Sequence, residues 1–555
     1  MKASTIRAIC FLTACALLLT ALLSGCGVKS GSSGKATDIP EETVTEVPVH
    51  AHTFGEWNIT KEPTCTEPGE WERSCPCGQV EREVLPARGH DFVDRVCTRC
   101  GEKLPGDGTG LEYTEAEDGS GYILTGAGTC TDTILVVPGT YEGKPVVAVG
   151  DEAFNENTYI TEVVLQEGIQ KIGKKAFRKC TALRSIVLPE GLTEIDISAF
   201  NSCTALASVK LPESLKSLGE WAFCRCESLK EFELSKGVEK LDYGCIARLG
   251  GLEKLTVQEG NPKYHSAGNC VIETEAKVLA FGCRTSVIPD DGSVTELGTY
   301  SFYYIDSFTE LVIPGTIVKI GSEAFEGCKS LVSVTLSEGV KVLGFAAFRN
   351  CSELTKVIIP DTVEEIERSV FSDCTKLTEI NLGNGLKSID KYVFSGSGIT
   401  KLTLPKSLVD IQPCAFGAGF NALEELVVEE GNPRYHSAGN CIIETATKKL
   451  VAGCKTSVIP DDGSVTVIGT EAFYGCSALP EITIPEGVTT IEEEAYYHCI
   501  GATVVNLPAS LTTVVIRAFA SCENITTVNY AGTPEQWKTV KIEQYNDWLK
   551  NAYKG

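Results

Sequence analysis

Leu183-Arg-Ser-Ile186-Val-Leu188-Pro189-Glu-Gly-Leu192-Thr-Glu-Ile195-Asp-Ile-Ser-Ala199-Phe200-Asn-Ser-Cys203 holds the pattern that decides the fold. Ile186 and Leu188 alternate with polar or exposed positions, which predicts a short strand with those two side chains turned inward. Pro189 has no N–H to give a ladder and stops the strand. Leu192, Ile195 and the Ala199-Phe200 pair then carry the chain back across a core. The aromatic position returns every 23 residues, at Phe154, Phe177, Phe200, Phe223 and Ile246, and again at Phe302, Phe325, Phe348, Phe371 and Phe394. Phe416 follows at 22, and Phe473, Tyr496 and Phe519 complete the series. A unit of 23 residues cannot bury this much apolar surface alone, whereas stacked units can. The expected fold is a β-rich solenoid whose strands add to a parallel sheet, with about sixteen coils at ~4.8 Å each.

Two intervals run long, 56 residues from Ile246 to Phe302 and 57 from Phe416 to Phe473. Each holds a copy of one segment: Glu259–Phe302 and Glu430–Phe473 agree at 32 of 44 positions. Cys270-Val-Ile-Glu and Val278-Leu-Ala-Phe flank a polar turn, which predicts a hairpin standing off a wider coil. A cysteine follows the aromatic by three residues in most coils (Cys180, Cys203, Cys226, Cys328, Cys351, Cys374, Cys476, Cys499, Cys522). Ser397 and Asn157 take the same place elsewhere, so the site calls for a small group at a tight corner rather than for sulfur chemistry.

The unit resembles the BspA-type leucine-rich repeat over about residues 110 to 540. Leu111–Pro145, with Gly143-Lys-Pro-Val, resembles that family's first coil, and Asn529-Tyr-Ala-Gly-Thr-Pro-Glu-Gln-Trp537 its closing cap. The resemblance implies a surface-exposed bacterial protein that adheres to host or microbial macromolecules. It implies no substrate, active site or required cofactor.

The N-terminus reads as an address. Lys2 and Arg7 precede a mostly apolar run, Ala8 to Leu23, too short to span a bilayer, which needs ~20 residues. Leu23-Ser24-Gly25-Cys26 resembles the bacterial lipobox, which implies cleavage before Cys26 and acylation of its sulfur; an ordinary secretory signal is the alternative. Residues 27–49, rich in Ser, Gly, Thr, Glu and Pro, read as a flexible linker. Residues 50–104 form a Cys/His-rich module. Cys97-Thr-Arg-Cys100-Gly has the spacing of a zinc knuckle, and Cys75-Pro-Cys77-Gly is one residue short of it. Cys75, Cys77, Cys97 and Cys100 would form a zinc-ribbon-like structural site, with Cys65, His52 and His90 as alternates. Disulfides or plain thiols fit the same residues. The stretch resembles a module found in surface proteins of anaerobic Gram-positive bacteria, with His-x-Phe ahead of each cysteine pair. The solenoid is placed at 105–540 and a cap or tail at 541–555.

The formal charge is −25, and −27 once the first 26 residues with Lys2 and Arg7 are removed. Such a surface repels phosphate backbones, which argues against nucleic acid as a partner. No Ser-His-Asp or Cys-His spacing recurs around His265, His436 or His498, and an enzyme is not expected. Binding is expected on the outward positions of the strands. Those rich in charge or amide are Glu231, Glu233, Lys254, Glu310, Lys356, Glu379, Asn381, Lys401, Glu425 and Glu481. The row is polar and lacks an aromatic platform for sugar rings, so it suits a broad contact with protein better than with glycan. The expectation is a lipid-anchored adhesion or interaction scaffold on the outer face of a bacterial cell membrane, touching the membrane only through its anchor. A structural spacer is the first alternative, and a metalloenzyme built on residues 50–104 is the second.

Overall fold

The computed structural model describes residues 53–87, 92–93, 96–97, 99–100, 106–417, 421–546 and 548–549. Cys26, His52 and His90 lie outside them. The chain divides into two compact units, Met1–His90 and Asp91–Gly555. In the first, Asn58–Lys61, Gly69–Ser74 and Val80–Leu85 pair antiparallel in chain order. So short a stretch has little core. Trp57 stacks on Trp71 at 5.0 Å, and the Arg73 guanidinium lies over Phe54 and Trp57.

The second unit is a parallel β-solenoid of about eighteen turns. One side is a wide ladder of strands two to four residues long. Glu162–Leu165 pairs with Ser185–Val187 in the register Glu162↔Ser185, Val163↔Ile186, Val164↔Val187, and Val163 and Ile186 point into the core. A second side, which the sequence reading did not separate, is a narrow ladder of two-residue strands: Lys171–Ile172, Glu194–Ile195, Ser217–Leu218 and their successors. The third side carries turns. The N–H groups of Lys175, Phe177 and Lys179 donate to the carbonyls of Ile197, Ala199 and Asn201 at 2.9, 2.8 and 2.7 Å. Residues two before and two after the ring adopt φ near +60°, as at Lys175, Lys179, Ser198 and Ser202. That left-handed conformation is unusual for residues with a Cβ. Here it aims alternate N–H groups along the stack, so neighbouring repeats such as those of Phe154, Phe177 and Phe200 are bonded on this side as well.

The ring column stacks inside. Phe154, Phe177, Phe200 and Phe223 follow one another at 5.1, 5.3 and 5.0 Å, and Phe302 to Phe394 and Phe473 to Phe519 do likewise. About eighteen turns are present rather than about sixteen: beyond the fourteen coils with a ring-column residue, four rungs of the narrow ladder lack one. They are Tyr122–Gly126, Val278–Phe281, Lys449–Ala452 and Lys541–Ile542.

The copied segments do not stand off the solenoid. Tyr264–Ala267, Cys270–Glu273 and Val278–Phe281 form an antiparallel meander whose last strand pairs parallel with Glu296–Leu297. Cys270, Val271 and Ile272 are all fully buried. Val271 and Phe281 pack with the coils before the meander, whereas Cys270, Ile272 and Leu279 pack with those after it. Tyr435–Ala438, Cys441–Glu444 and Lys449–Ala452 repeat the arrangement. The meanders are therefore wedged between coils and divide the apolar interior into three cores. The polar turn at Thr274–Lys277 is exposed, and that turn prompted the contrary expectation.

Each end of the stack is closed. Glu112–Glu115 runs antiparallel over Tyr122–Gly126. At the far end Thr533 and Gln536 form a capping box on the short helix Pro534–Trp537. The Asn546 side chain then accepts the Phe519 N–H at 3.0 Å, in place of a further coil's carbonyl.

Candidate interaction surfaces

The wide ladder turns every second side chain outward, and the expected face residues lie there. Glu231, Glu233, Lys254, Glu310, Lys356, Glu379, Asn381, Lys401 and Glu481 are exposed, and Glu425 is half-buried. Parallel register brings residues 23 or 24 apart side by side, and opposite charges meet rung to rung. Lys254 pairs with Glu231 at 3.1 Å, Lys356 with Glu379 at 3.1 Å and Lys401 with Glu425 at 2.8 Å. Exposed pairs of this kind contribute ~0–1 kcal/mol each, so they order the face more than they stabilise the fold. Val187, Val312 and Ile358 lie exposed among them. The face is thus a mixed polar and apolar strip.

The cysteine column faces inward. Cys180, Cys203, Cys226, Cys351 and Cys374 donate from Sγ to the carbonyls of Phe154, Phe177, Phe200, Phe325 and Phe348 at 3.0–3.3 Å. Burial pushes the Cys203, Cys226 and Cys351 thiols far above their ordinary range, which leaves little thiolate for nucleophilic or redox chemistry. Size is thus only part of the requirement, because the thiol also satisfies a buried carbonyl. Ser397, in the same place, is buried with its hydroxyl unpartnered.

His265 and His436 sit on meander strands rather than in loops. Each holds Nδ1 at 2.9 and 2.8 Å from Thr274 and Thr445 Oγ1.

Cys75 and Cys77 lie in the turn between Gly69–Ser74 and Val80–Leu85, where the Cys75 N–H donates to the Gln79 carbonyl at 2.8 Å. Gly78 takes φ +91°, a conformation that favours glycine. Cys65 and Cys75 are buried, and Cys77 and Cys100 are exposed. Among the described residues no group of three or more His, Cys, Asp or Glu side chains is gathered as a metal would need. The Cys97 side chain, His52 and His90 lie outside those residues, so the zinc ligand set remains an expectation.

The sequence reading missed a cluster on the turn side, where the coils before and after the first meander meet. Trp221 lies across Gly244, where an added Cβ would come within 2.4 Å of the indole. Its ring reaches Tyr300 at 4.7 Å and Tyr303 at 5.9 Å, and Tyr300 meets Tyr303 at 5.0 Å. The Arg248 guanidinium sits 3.9 Å from the Tyr304 ring centre. Carboxylates rim the rings. Glu220 accepts the Trp221 indole N–H at 2.8 Å, Glu323 accepts the Tyr300 hydroxyl at 3.4 Å, and Arg349 grips both oxygens of Glu326 at 2.8 Å. Burial, and then the neighbouring Glu326, push the Glu323 carboxyl up to about 7.

Repeated short strands, a stacked ring column and broad open faces define a leucine-rich-repeat β-solenoid. The BspA type leucine rich repeat region matches residues 147–267, 295–421 and 448–545 in six copies, more than half of the chain, and the chain belongs to that family. Between the matched stretches fall the buried middle strands of both meanders, Cys270–Glu273 and Cys441–Glu444. No curated protein matches the chain. Solved structures similar to it include a leucine-rich repeat protein from Eubacterium ventriosum, 21% identical, with 56% of this chain and 93% of that one covered and a TM-score of 0.43. One from Bacteroides ovatus is also 21% identical and covers 78% and 97%, with a TM-score of 0.37. The pneumococcal vaccine antigen PcpA is 16% identical, covering 79% and 96%, with a TM-score of 0.40.

Proposed function

We propose that the chain is a cell-surface interaction scaffold that binds host or microbial surface macromolecules, protein rather than glycan, through the wide-ladder face. The observation that carries this reading is the face itself: outward side chains held in fixed register on rung after rung, with charges of both signs and exposed Val312 and Ile358. A rigid face loses little conformational freedom on binding, which favours association over a large area. Membership in the leucine-rich-repeat family supports a scaffold role without catalysis. The leader ending at Cys26 supports a lipid anchor outside the cell membrane. A structural zinc on Cys75, Cys77, Cys97 and Cys100 is part of the same proposal and would serve folding rather than chemistry.

The test is a binding titration of the full chain against purified extracellular-matrix proteins and neighbouring-cell surface extracts, beside a Glu379→Lys, Lys401→Glu variant. Loss of at least about tenfold in affinity, with unfolding unchanged, is the expected result. Unaltered binding to every partner would move the function off this face.

A further inference from the structure

On the turn side, the positions flanking the ring column are Glu, Lys, Ser, Asn or Arg in the coils of Phe154, Phe177 and Phe200. Aromatic residues take those positions only near a meander. Trp221, Tyr300, Tyr303 and Tyr304 border the first, and Tyr392, Tyr474 and Tyr497 border the second, where Tyr474 stacks on Tyr497 at 4.9 Å. None of these rings belongs to the ring column, so the stack does not need them. The first seam combines a Trp, three Tyr and two Arg, the residue types enriched at the energetic centres of protein interfaces, and contains no lysine. Its glycines preform it: a Cβ at Gly327 would come within 2.7 Å of the Tyr304 ring, as one at Gly244 would strike Trp221.

Charge identifies the occupant. Arg349 is already held by Glu326, and Arg248 already lies on Tyr304. Glu220 is left as a carboxylate beside the Trp221 face, where its side chain accepts the neutral indole N–H, whereas Glu323 lies 3.9 Å from Arg349 as well as against the Tyr300 hydroxyl. Carboxylates at the edge of aromatic faces accept a guanidinium by ion pairing and cation–π contact together. The chain shows that contact on itself at both seams, Arg248 over Tyr304 at 3.9 Å and Arg368 over Tyr392 at 5.2 Å. A formal charge of −25 would steer a basic partner to it.

We propose that the turn-side seam at Trp221, Tyr300 and Tyr303 docks an arginine-rich basic segment of another protein, with its guanidinium groups on the rings and paired to Glu220. This surface is separate from the wide-ladder face, and either can fail without the other.

The test is titration of the full chain with a fluorescent nona-arginine peptide at physiological salt, beside cellohexaose as a neutral sugar and with thermal unfolding recorded for every variant. Trp221→Ala leaves the charge unchanged and should weaken peptide binding by more than about tenfold. Glu220→Gln keeps an acceptor for the indole N–H and should weaken it several-fold, on the order expected for losing one charged contact. Glu152→Gln removes the same charge far from the seam and should change affinity by less than about twofold. Should Trp221→Ala fail to fold, Trp221→Phe and Glu220→Gln carry the test, the first retaining most of the affinity and the second not. Equal peptide affinity in Glu220→Gln and Glu152→Gln would reduce the binding to the chain's overall field and overturn the proposal. Cellohexaose binding that depends on Trp221, with no capture of the peptide, would overturn it in favour of a glycan.

Discussion

The coil of Phe348 and the meander at Tyr264–Phe281 bury their interiors equally well but by different means. Phe348 lies between Phe325 and Phe371, at 5.3 and 5.7 Å, and its coil is a near copy of its neighbours. Register there follows from repetition. The meander has no copy beside it, and it reverses chain direction within the stack. Individual residues fix its place. Asn261 donates to the carbonyls of Ser235 and Val238 at 3.1 and 2.9 Å while accepting the Lys263 and Tyr264 N–H groups. Gly282 leaves room for the Phe302 ring, which an added Cβ would meet at 2.0 Å. A parallel solenoid accepts an antiparallel insert when the insert offers one strand in the right direction to the next rung, as Val278–Phe281 does to Glu296–Leu297. The seam so formed frees the turn side from the repeat's composition, and the aromatic cluster lies there.

Mutations that break each region sharpen the contrast. Phe348→Ala should have the largest effect, costing ~3–5 kcal/mol by denaturant unfolding, because the cavity lies between two rings that cannot both close on it. Gly282→Ala should cost ~1–3 kcal/mol, since the buried Phe302 ring must move for the new methyl group. A cost near zero there would place the meander outside the stack.

The seam should also make stability depend on pH. With the Glu323 carboxyl at about 7, the folded chain keeps a proton that the unfolded chain releases near 4.5. The contribution is complete below about 4.5 and is lost as pH rises through about 7. Glu323→Gln should flatten the stability profile across that window, an effect on the order of 1 kcal/mol after allowing for partial exposure. Unfolding midpoints measured at both ends of the window check this, and an unaltered slope would contradict the buried carboxyl pair. Smallest of all, His436→Ala should cost less than ~0.5 kcal/mol, because it gives up one hydrogen bond to Thr445 at a partly exposed strand.

The repeat and its outward face were legible in the sequence because 23-residue spacing and the Ile186/Leu188 alternation are each strong signals. The narrow ladder was not, since two residues such as Lys171 and Ile172 are too short to show a period. The meander was misplaced because Cys270-Val-Ile is apolar throughout. A continuous apolar run of that length does not reveal that its two faces meet different cores. The aromatic cluster joins Trp221 to Tyr300 across 79 residues of sequence, and only the fold shows them as neighbours. One signal could have found it: aromatic residues replacing polar ones beside the long interval. Cys26 and the zinc ligand set rest on sequence motifs alone.

Native-state hydrogen exchange, read on peptides 268–282 and 345–360 of the full chain, tests most directly whether the meanders are rungs of the stack. The intercalated arrangement predicts comparable protection in both, within about tenfold, because Val271 and Ile272 are as buried as Phe348. Exchange of 268–282 hundreds of times faster, with 345–360 still protected, would mean that the insert opens on its own and that the three cores are not joined through it.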